Sequence, residues 1–339
     1  MQLATPDVHT LDLSGLAQEG LSTTFKHSGW KPQRKQVYEA LIQAKVSHTR
    51  FSAFCSCGDT SFVLRSRDDP SQIRIAGSSC HDRFCRPCAS GRSRTIASNV
   101  VPYLRKGQCR FVTLTLRHNA NGLAHEIDRL YECFKKLRKS TIWAKSQQGG
   151  VGFLEIKRSK QGDSWHPHFH ILTQGKFMDG AALAAEWKRI TTDSFIVDIR
   201  FVKDDASVLA YVTKYASKPF DPSLFARQEV LVEAIQALAN RRMAVTFGNW
   251  KGLQVTMKPD AEAWEKLGTL EEILLKAARG DDYCRALILT ACGEKAEMML
   301  RLADRLAQTP TVDPIERPPD QQLYFLEPED VTARFIAQQ

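Results

Sequence analysis

Hydrophobic and polar positions fall into a regular order from Cys109 onward. Residues 110–116 (Arg-Phe-Val-Thr-Leu-Thr-Leu) alternate at period 2 and are rich in β-formers, which predicts a strand. Leu123, Ile127, Leu130, Phe134 and Leu137 recur three and four apart, the stripe of an amphipathic helix over 123–139. Gly149-Gly150 is expected to break the chain. Residues 151–158 and 165–173 read as strands around a polar turn at 159–164, residues 180–192 as a helix, and 195–202 as a further strand. Asp204 or Asp205 is placed to cap a helix that runs to about Lys218, where Pro219 ends it.

The resulting order, β-α-β-β-α-β and then a helix, is the split βαβ order of an α+β, ferredoxin-like and largely antiparallel sheet. Around it, residues 33–46 read as a helix with Val37, Leu41 and Ile42 inward, and residues 1–28 as a loosely ordered arm. Residues 224–240 read as helix, 241–257 as a small basic β segment, and 260–306 as helical and acidic, before a Pro-rich tail from Thr309 to Pro319. Four regions are therefore expected. They are an arm and helix (1–50), a cysteine-rich segment (51–108), the main α+β domain (109–257), and a helical acidic region (258–339) suited to partner contact or oligomerisation.

Charge sharpens this division. The net charge of +9 is uneven: residues 258–339 hold 10 Lys and Arg against 16 Asp and Glu, whereas residues 1–257 hold 37 against 22. A basic body points to a polyanion, nucleic acid before membrane, although a solvated basic surface explains the charge alone equally well. No apolar run approaches the ~20 residues that span a bilayer. The first twenty residues carry acids and no Lys or Arg, unlike a secretory signal, so a cytoplasmic location is expected.

Nine cysteines in a chain with no secretion signal fit a reducing compartment and a metal site better than a disulfide framework. Five of them cluster: Cys55 and Cys57, then Cys80, Cys85 and Cys88. Cys85-x-x-Cys88 has the spacing at which two thiolates reach one tetrahedral zinc ion. The five are candidates for four places in a closed, structural Zn²⁺ site. Arg83, Arg86, Arg92 and Arg94 surround it and are available to phosphates.

Three histidines alternate in Trp165-His166-Pro167-His168-Phe169-His170, so a strand there sends all three imidazoles from one face. If the preceding turn centres on Gln161 and Gly162, Glu155 lies opposite His168 and on the same face. His168, His170 and Glu155 would then form a mixed nitrogen–oxygen site suited to Mg²⁺ or Mn²⁺ acting on a phosphate, and acceptable to Zn²⁺ or Co²⁺. On the helix after Asp204, Tyr211, Lys214, Tyr215 and Lys218 share one arc, with Leu209, Val212, Thr213 and Ala216 opposite. The phenols are thus expected to point away from the helix's packing face. A cation near a phenol favours the phenolate and binds phosphate, both useful to a nucleophile.

The strand Phe111-Val112-Thr113-Leu114-Thr115, the His168-Phe169-His170 strand and the Tyr211-x-x-x-Tyr215-x-x-Lys218 helix, in that order, resemble the HUH endonucleases. More closely, they resemble the rolling-circle replication initiators of small bacterial plasmids. The paired tyrosines look like those in the A protein of small icosahedral single-stranded DNA phages. The block Cys80-x4-Cys85-x2-Cys88, with Arg83 inside it, resembles the one that precedes this domain in plasmid initiators and in single-strand transposases. The resemblance covers roughly residues 50–250.

What the resemblance implies follows residue by residue. His168 and His170 match the metal-binding pair, Glu155 stands where an acidic third ligand often lies, and Tyr215 matches the nucleophile, preceded by Lys214. Tyr211 matches the second tyrosine of two-tyrosine members. Some plasmid initiators have an acidic residue there that lets water finish the reaction; this chain departs from that version, which implies termination by a second tyrosyl transfer. The implied activity is metal-dependent nicking of single-stranded or hairpin origin DNA through a 5′-phosphotyrosine, leaving a free 3′-hydroxyl. A host helicase and polymerase are the further candidate partners.

Three other readings compete. One is a single-strand transposase with the same chemistry. A second is a histidine-triad nucleotide hydrolase or transferase built on His166, His168 and His170, though Pro167 interrupts the apolar residue expected there. The third is a zinc-knuckle DNA-binding protein without catalysis.

Overall fold

A computed structural model describes residues 21–104, 108–117, 119, 121–158, 164–202, 208, 210–212, 214–215, 222–225, 227–253 and 263–308. From the N-terminal side run α1 (Leu21–Lys26), α2 (Lys31–Gln43), α3 (His48–Cys55), β1 (Ser61–Ser66), β2 (Ile73–Gly77) and α4 (Arg86–Leu104). Next come β3 (Cys109–Thr115), α5 (Leu123–Lys139), α6 (Thr141–Ser146), β4 (Gln147–Arg158), β5 (Trp165–Gly175), α7 (Gly180–Thr191) and β6 (Val197–Phe201). Helical residues between 208 and 215 form what is called here the tyrosine helix. A 3-10 turn (Pro222–Phe225), α8 (Gln228–Ala237), β7 (Ala244–Gly248), β8 (Trp264–Thr269), α9 (Leu270–Ala278), α10 (Asp282–Cys292) and α11 (Ala296–Gln308) complete the described chain. Among the described residues no helix is long and apolar enough to cross a membrane.

The larger sheet has the order β6-β3-β5-β4-β7, and every neighbouring pair is antiparallel. β3 and β4 therefore run in one direction with β5 between them, the split βαβ arrangement that the element order predicts. Residue parity divides the sheet into two faces. Val112, Leu114, Leu154, Ile156, Phe169 and Ile171 bury one face against α5 and α7, through Leu123, Ile127, Leu130, Phe134, Leu183 and Trp187. The stripe of α5 supplies this contact, and Lys136, Arg138 and Lys139 in its last turn suit the negative end of the helix dipole.

The opposite face is only partly covered. The long helix α4, which sequence periodicity did not disclose, packs Ile96, Ala97, Val100 and Leu104 with Val151, Phe153 and Leu172 of the sheet and with Trp250. Val208 and Val212 of the tyrosine helix join this layer. Its low amphipathic contrast has a physical source: small residues such as Ala97, Ser93 and Ala89 make up much of the buried side.

Four further expectations are corrected. Part of the arm expected over 1–28 is the ordered helix α1, with Ser22, Thr23 and, just after it, His27 buried, and Ile42 is 52% exposed rather than inward. Gly149 and Gly150 do not break the chain but lie inside β4. A Cβ at Gly150 would come within 2.3 Å of the Leu172 carbonyl oxygen, and one at Gly149 within 2.0 Å of Asn249 Oδ1, so close strand approach requires the glycines. The stretch 260–306 is not wholly helical. Trp264–Thr269 is a strand that joins β1 and β2 in a second antiparallel sheet of order β2-β1-β8. That sheet packs Val63, Ile73 and Ile75 on α9–α11, through Leu270, Leu274, Ile288 and Leu300. Thr269 then starts α9 with a capping box to Glu272.

Candidate active site and cysteine cluster

The end of the sheet face that α4 leaves uncovered carries the histidines. In the β4–β5 ladder Glu155 pairs with His168, and in the β3–β5 ladder Thr113 pairs with His170. Paired residues point to one side, so the three strands bring Thr113, Glu155, His168 and His170 together. Glu155 Oε2 lies 2.9 Å from His168 Nε2 and 2.8 Å from His170 Nε2, and it receives Lys157 Nζ at 3.1 Å. All three members of the Glu155–His168–His170 group are buried.

Electrostatics favour a charged carboxylate here. Burial alone would raise the Glu155 carboxyl, but hydrogen bonds and charge from the two imidazoles overcome it and hold it well below the usual range. Burial pulls the His170 imidazole down, against the opposite pull of Glu155. His170 Nδ1 is 3.3 Å from Thr113 Oγ1, the kind of outer contact that orients a ligating imidazole. His168 Nδ1 is buried without a hydrogen-bond partner among the described residues. Two imidazole nitrogens and a carboxylate oxygen converge within mutual reach, a donor set that fits a divalent ion. His166 lies half-buried beside the group, its ring 4.9 Å from that of His168.

The tyrosine helix faces this group. The Tyr215 ring stacks on His170 with centroids 3.6 Å apart and planes at 17°. Tyr211 stacks on Phe111 at 3.8 Å, and its hydroxyl is 3.5 Å from His170 Nδ1. The two phenol rings are 4.6 Å apart. This corrects the expectation that the phenols point away from the packing face. They lie between helix and sheet, because Phe111, Thr113 and His170 present there an aromatic and polar surface that accepts phenols. Burial pushes the Tyr211 hydroxyl well above its ordinary value, and neighbouring Tyr215 adds to the rise. Lys214 is exposed, with Nζ 4.9 Å from the centre of the Tyr215 ring. Lys218, the Gln161–Gly162 turn and the cap at Asp204 or Asp205 lie outside the described residues.

Two members of this neighbourhood were not singled out in the sequence. Thr113 could have been found from its register with His170, and Lys157 from standing two positions beyond Glu155 on the same strand face.

The second constellation gathers Cys57, Cys80, Cys85 and Cys88, whose sulfurs all lie within 4.8 Å of one another. Cys57 Sγ is 3.8 Å from Cys85 Sγ and 3.5 Å from Cys88 Sγ, and Cys80 Sγ is 3.7 Å from Cys88 Sγ. A tetrahedron of thiolates with Zn–S near 2.3 Å has edges of about 3.8 Å, so the spacing fits a zinc ion. Cys55, the fifth candidate, is exposed and outside the set. The cluster is not detached from the protein body: Cys57 and Cys85 belong to the same buried core as α5 and the helix-covered sheet face. His27, just after α1, pins the segment, its Nε2 being 2.8 Å from the Cys57 carbonyl oxygen.

Over residues 73–285 the chain matches the family described as "Replication protein". It is 26% identical over 210 residues to a "Protein rep" of Staphylococcus aureus, covering 56% of this chain and 92% of that one. It is 29% identical over 214 residues to a "Protein rep" of Bacillus amyloliquefaciens, covering 55% of this chain and 62% of the relative. A "Protein rep" of Streptococcus pneumoniae is 29% identical over 192 residues, which cover 48% of this chain and 58% of the relative. No solved structure matches the chain.

Proposed function

The chain belongs to the replication protein family, and we propose that it initiates rolling-circle replication by nicking one strand of origin DNA with Tyr215. The observation that carries this reading is the meeting, on one uncovered end of a sheet face, of a Glu155–His168–His170 donor set and two tyrosines. Either constellation alone has ordinary structural explanations. Together they match a phosphoryl transfer with a built-in nucleophile.

A divalent ion such as Mg²⁺ or Mn²⁺, held by Glu155, His168 and His170, would supply Lewis acidity toward a non-bridging oxygen of the scissile phosphate. The protein's own part is positional. His170 holds the Tyr215 ring by stacking, and Thr113 holds the orientation of His170. Lys214 adds a cation beside the phenol, where it can hold a phosphate oxygen. The Tyr215 oxygen forms a bond to phosphorus, its proton passes to solvent, and the bond to the 3′-oxygen of the preceding nucleotide breaks. The products are a 5′-phosphotyrosine and a free 3′-hydroxyl that can prime synthesis, and the phosphodiester energy is kept for rejoining. Tyr211 is the second nucleophile: after one round it attacks the regenerated junction, and the displaced 3′-hydroxyl resolves the Tyr215 adduct. The basic body holds the strand through its phosphates, with salt-sensitive affinity. The four cysteines hold a structural Zn²⁺ and have no part in the transfer.

The histidine-triad alternative leaves the tyrosines and the carboxylate between the imidazoles without a purpose. A single-strand transposase shares the chemistry and differs in its DNA target.

The test is direct. The protein is incubated with Mn²⁺ and an end-labelled pool of random-sequence single-stranded DNA, and products are separated on a denaturing gel before and after protease. A protease-sensitive DNA adduct is expected in the wild type and in Tyr211→Phe, and none in Tyr215→Phe. An undiminished adduct in Tyr215→Phe would overturn the assignment.

A further inference from the structure

Beside the two tyrosines a cavity of about 410 Å³ opens toward the edge strand β6. Phe111, Tyr211, Phe201, Asp198 and Arg200 line it, and Lys214 stands at the rim. Its size is at the low end for small-ligand pockets, enough for one heterocycle and its sugar and too small for a duplex. The walls have two characters. One is aromatic, the Phe111–Tyr211 stack; Phe201 pairs with Arg110, so its ring leaves β6 from the opposite face. The other is a hydrogen-bonding edge. Asp198 and Arg200 pair with Thr113 and Phe111 in the β3–β6 ladder and so project from the histidine-bearing face. Their heads lie 2.8 Å apart while remaining 47% and 74% exposed.

Nothing in the nicking chemistry uses Asp198 or Arg200. An aromatic wall next to an exposed ion pair on the rim of a site for single-stranded DNA is the equipment of a base reader. Aromatic rings take the face of an unstacked base, which every base offers. Polar heads then read its edge. Asp198 offers only acceptors and Arg200 only donors, held side by side. Guanine matches that order best: its N1–H and N2–H₂ donate to a carboxylate, and the adjacent O6 and N7 accept from a guanidinium. Adenine offers one donor group and one acceptor to the same pair, and the pyrimidines have less ring to stack.

We infer that this cavity is a nucleobase pocket which captures one unstacked base next to the scissile phosphate, with the Phe111–Tyr211 stack as its aromatic wall and Asp198 and Arg200 selecting guanine. The assignment rests on the reading of the site as one for single-stranded DNA, and it adds a specificity element to it. Capture of a base against β6 would draw the neighbouring phosphate toward Tyr215, whose ring borders the same cavity.

The experiment measures binding separately from chemistry. Fluorescein-labelled oligo-dT strands, uniform or with a single central dG, dA, dC or abasic site, are titrated by anisotropy in buffer free of added divalent metal and of chelator. The wild type is expected to bind the dG strand about tenfold more tightly than uniform oligo-dT, with dA intermediate. That advantage should shrink to within about twofold in Asp198→Ala and in Arg200→Ala, whereas Phe201→Ala, whose ring leaves β6 from the other face, should keep it. Melting temperatures of the variants, read alongside, should match the wild type because all three side chains are exposed. No dG advantage in the wild type, or one that survives both Asp198→Ala and Arg200→Ala, would overturn the pocket. The same strands are then incubated with Mn²⁺. A dG preference without any covalent adduct leaves the pocket standing and removes the nicking reading. An adduct without base preference does the reverse.

Discussion

The four-cysteine cluster and the Glu155–His168–His170 group are both able to hold a metal, yet they are built to opposite ends. Cys57, Cys80, Cys85 and Cys88 are drawn from the turn after α3, the loop between β2 and α4, and the first turn of α4, and four thiolates complete a tetrahedron by themselves. Two of them are also part of the main core. The Glu155 group comes from two adjacent strands, supplies three donors, and faces two phenols that line an open cavity. A full donor set embedded in a core resists change and stabilises the fold. An incomplete set at the uncovered end of a sheet leaves coordination positions for a substrate oxygen. The count of donors and the groups standing opposite them therefore separate a structural site from a reactive one.

The contrast can be broken at three levels of effect. The largest is expected from Cys85→Ser. A zinc site of this kind contributes roughly 10–16 kcal/mol in small domains, as much as the ~5–15 kcal/mol of net stability of an ordinary protein. The variant should lose its zinc by atomic absorption and its cooperative thermal transition by circular dichroism. Cys55→Ser, outside the cluster, should retain both, with a stability change below about 0.5 kcal/mol. A cooperative, zinc-loaded Cys85→Ser protein would erase the distinction.

Next comes His170→Ala, for which the two properties should part in the other direction. Zinc content and the thermal transition should survive, while the yield of covalent DNA adduct falls on the order of 100- to 1000-fold, the several kcal/mol of charge stabilisation that a catalytic ion supplies. Unfolding of this variant alongside its loss of adduct would make the group structural after all.

The smallest effect sharpens the comparison. Thr113→Val keeps shape but removes the hydroxyl beside His170 Nδ1. Loss of such an outer contact typically costs 10- to 100-fold in metal affinity. The Mn²⁺ concentration giving half-maximal adduct should rise about tenfold, with little change at saturation. An unchanged Mn²⁺ dependence would show that His170 needs no support from Thr113.

Much of the reactive site was legible because strand geometry is local arithmetic. Period 2 put His166, His168 and His170 on one face, and a turn centred on Gln161 and Gly162 put Glu155 opposite His168, as the ladder has it. The direction of the phenols was not legible. Helical periodicity tells which residues share a face, but not which surface that face meets, and here the facing surface is the polar end of a sheet. α4 stayed hidden because small residues dilute its stripe, and β8 because its partner β1 lies far away in the chain. Gly149 and Gly150 looked like a break, since the neighbours that crowd them come from β5 and from the residue after β7.

By itself, then, the sequence determined the split βαβ order, the histidine and glutamate register, and the cysteine spacing. Those properties depend on backbone repeats and on ligand reach over a few residues. The tertiary structure alone decided that Cys80 takes the fourth place and Cys55 none, that the tyrosines turn toward His170, and that α4 covers one end of the face and leaves the other open. Each of those is a choice among neighbours brought from distant parts of the chain, and side-chain packing makes it only once the strands are paired.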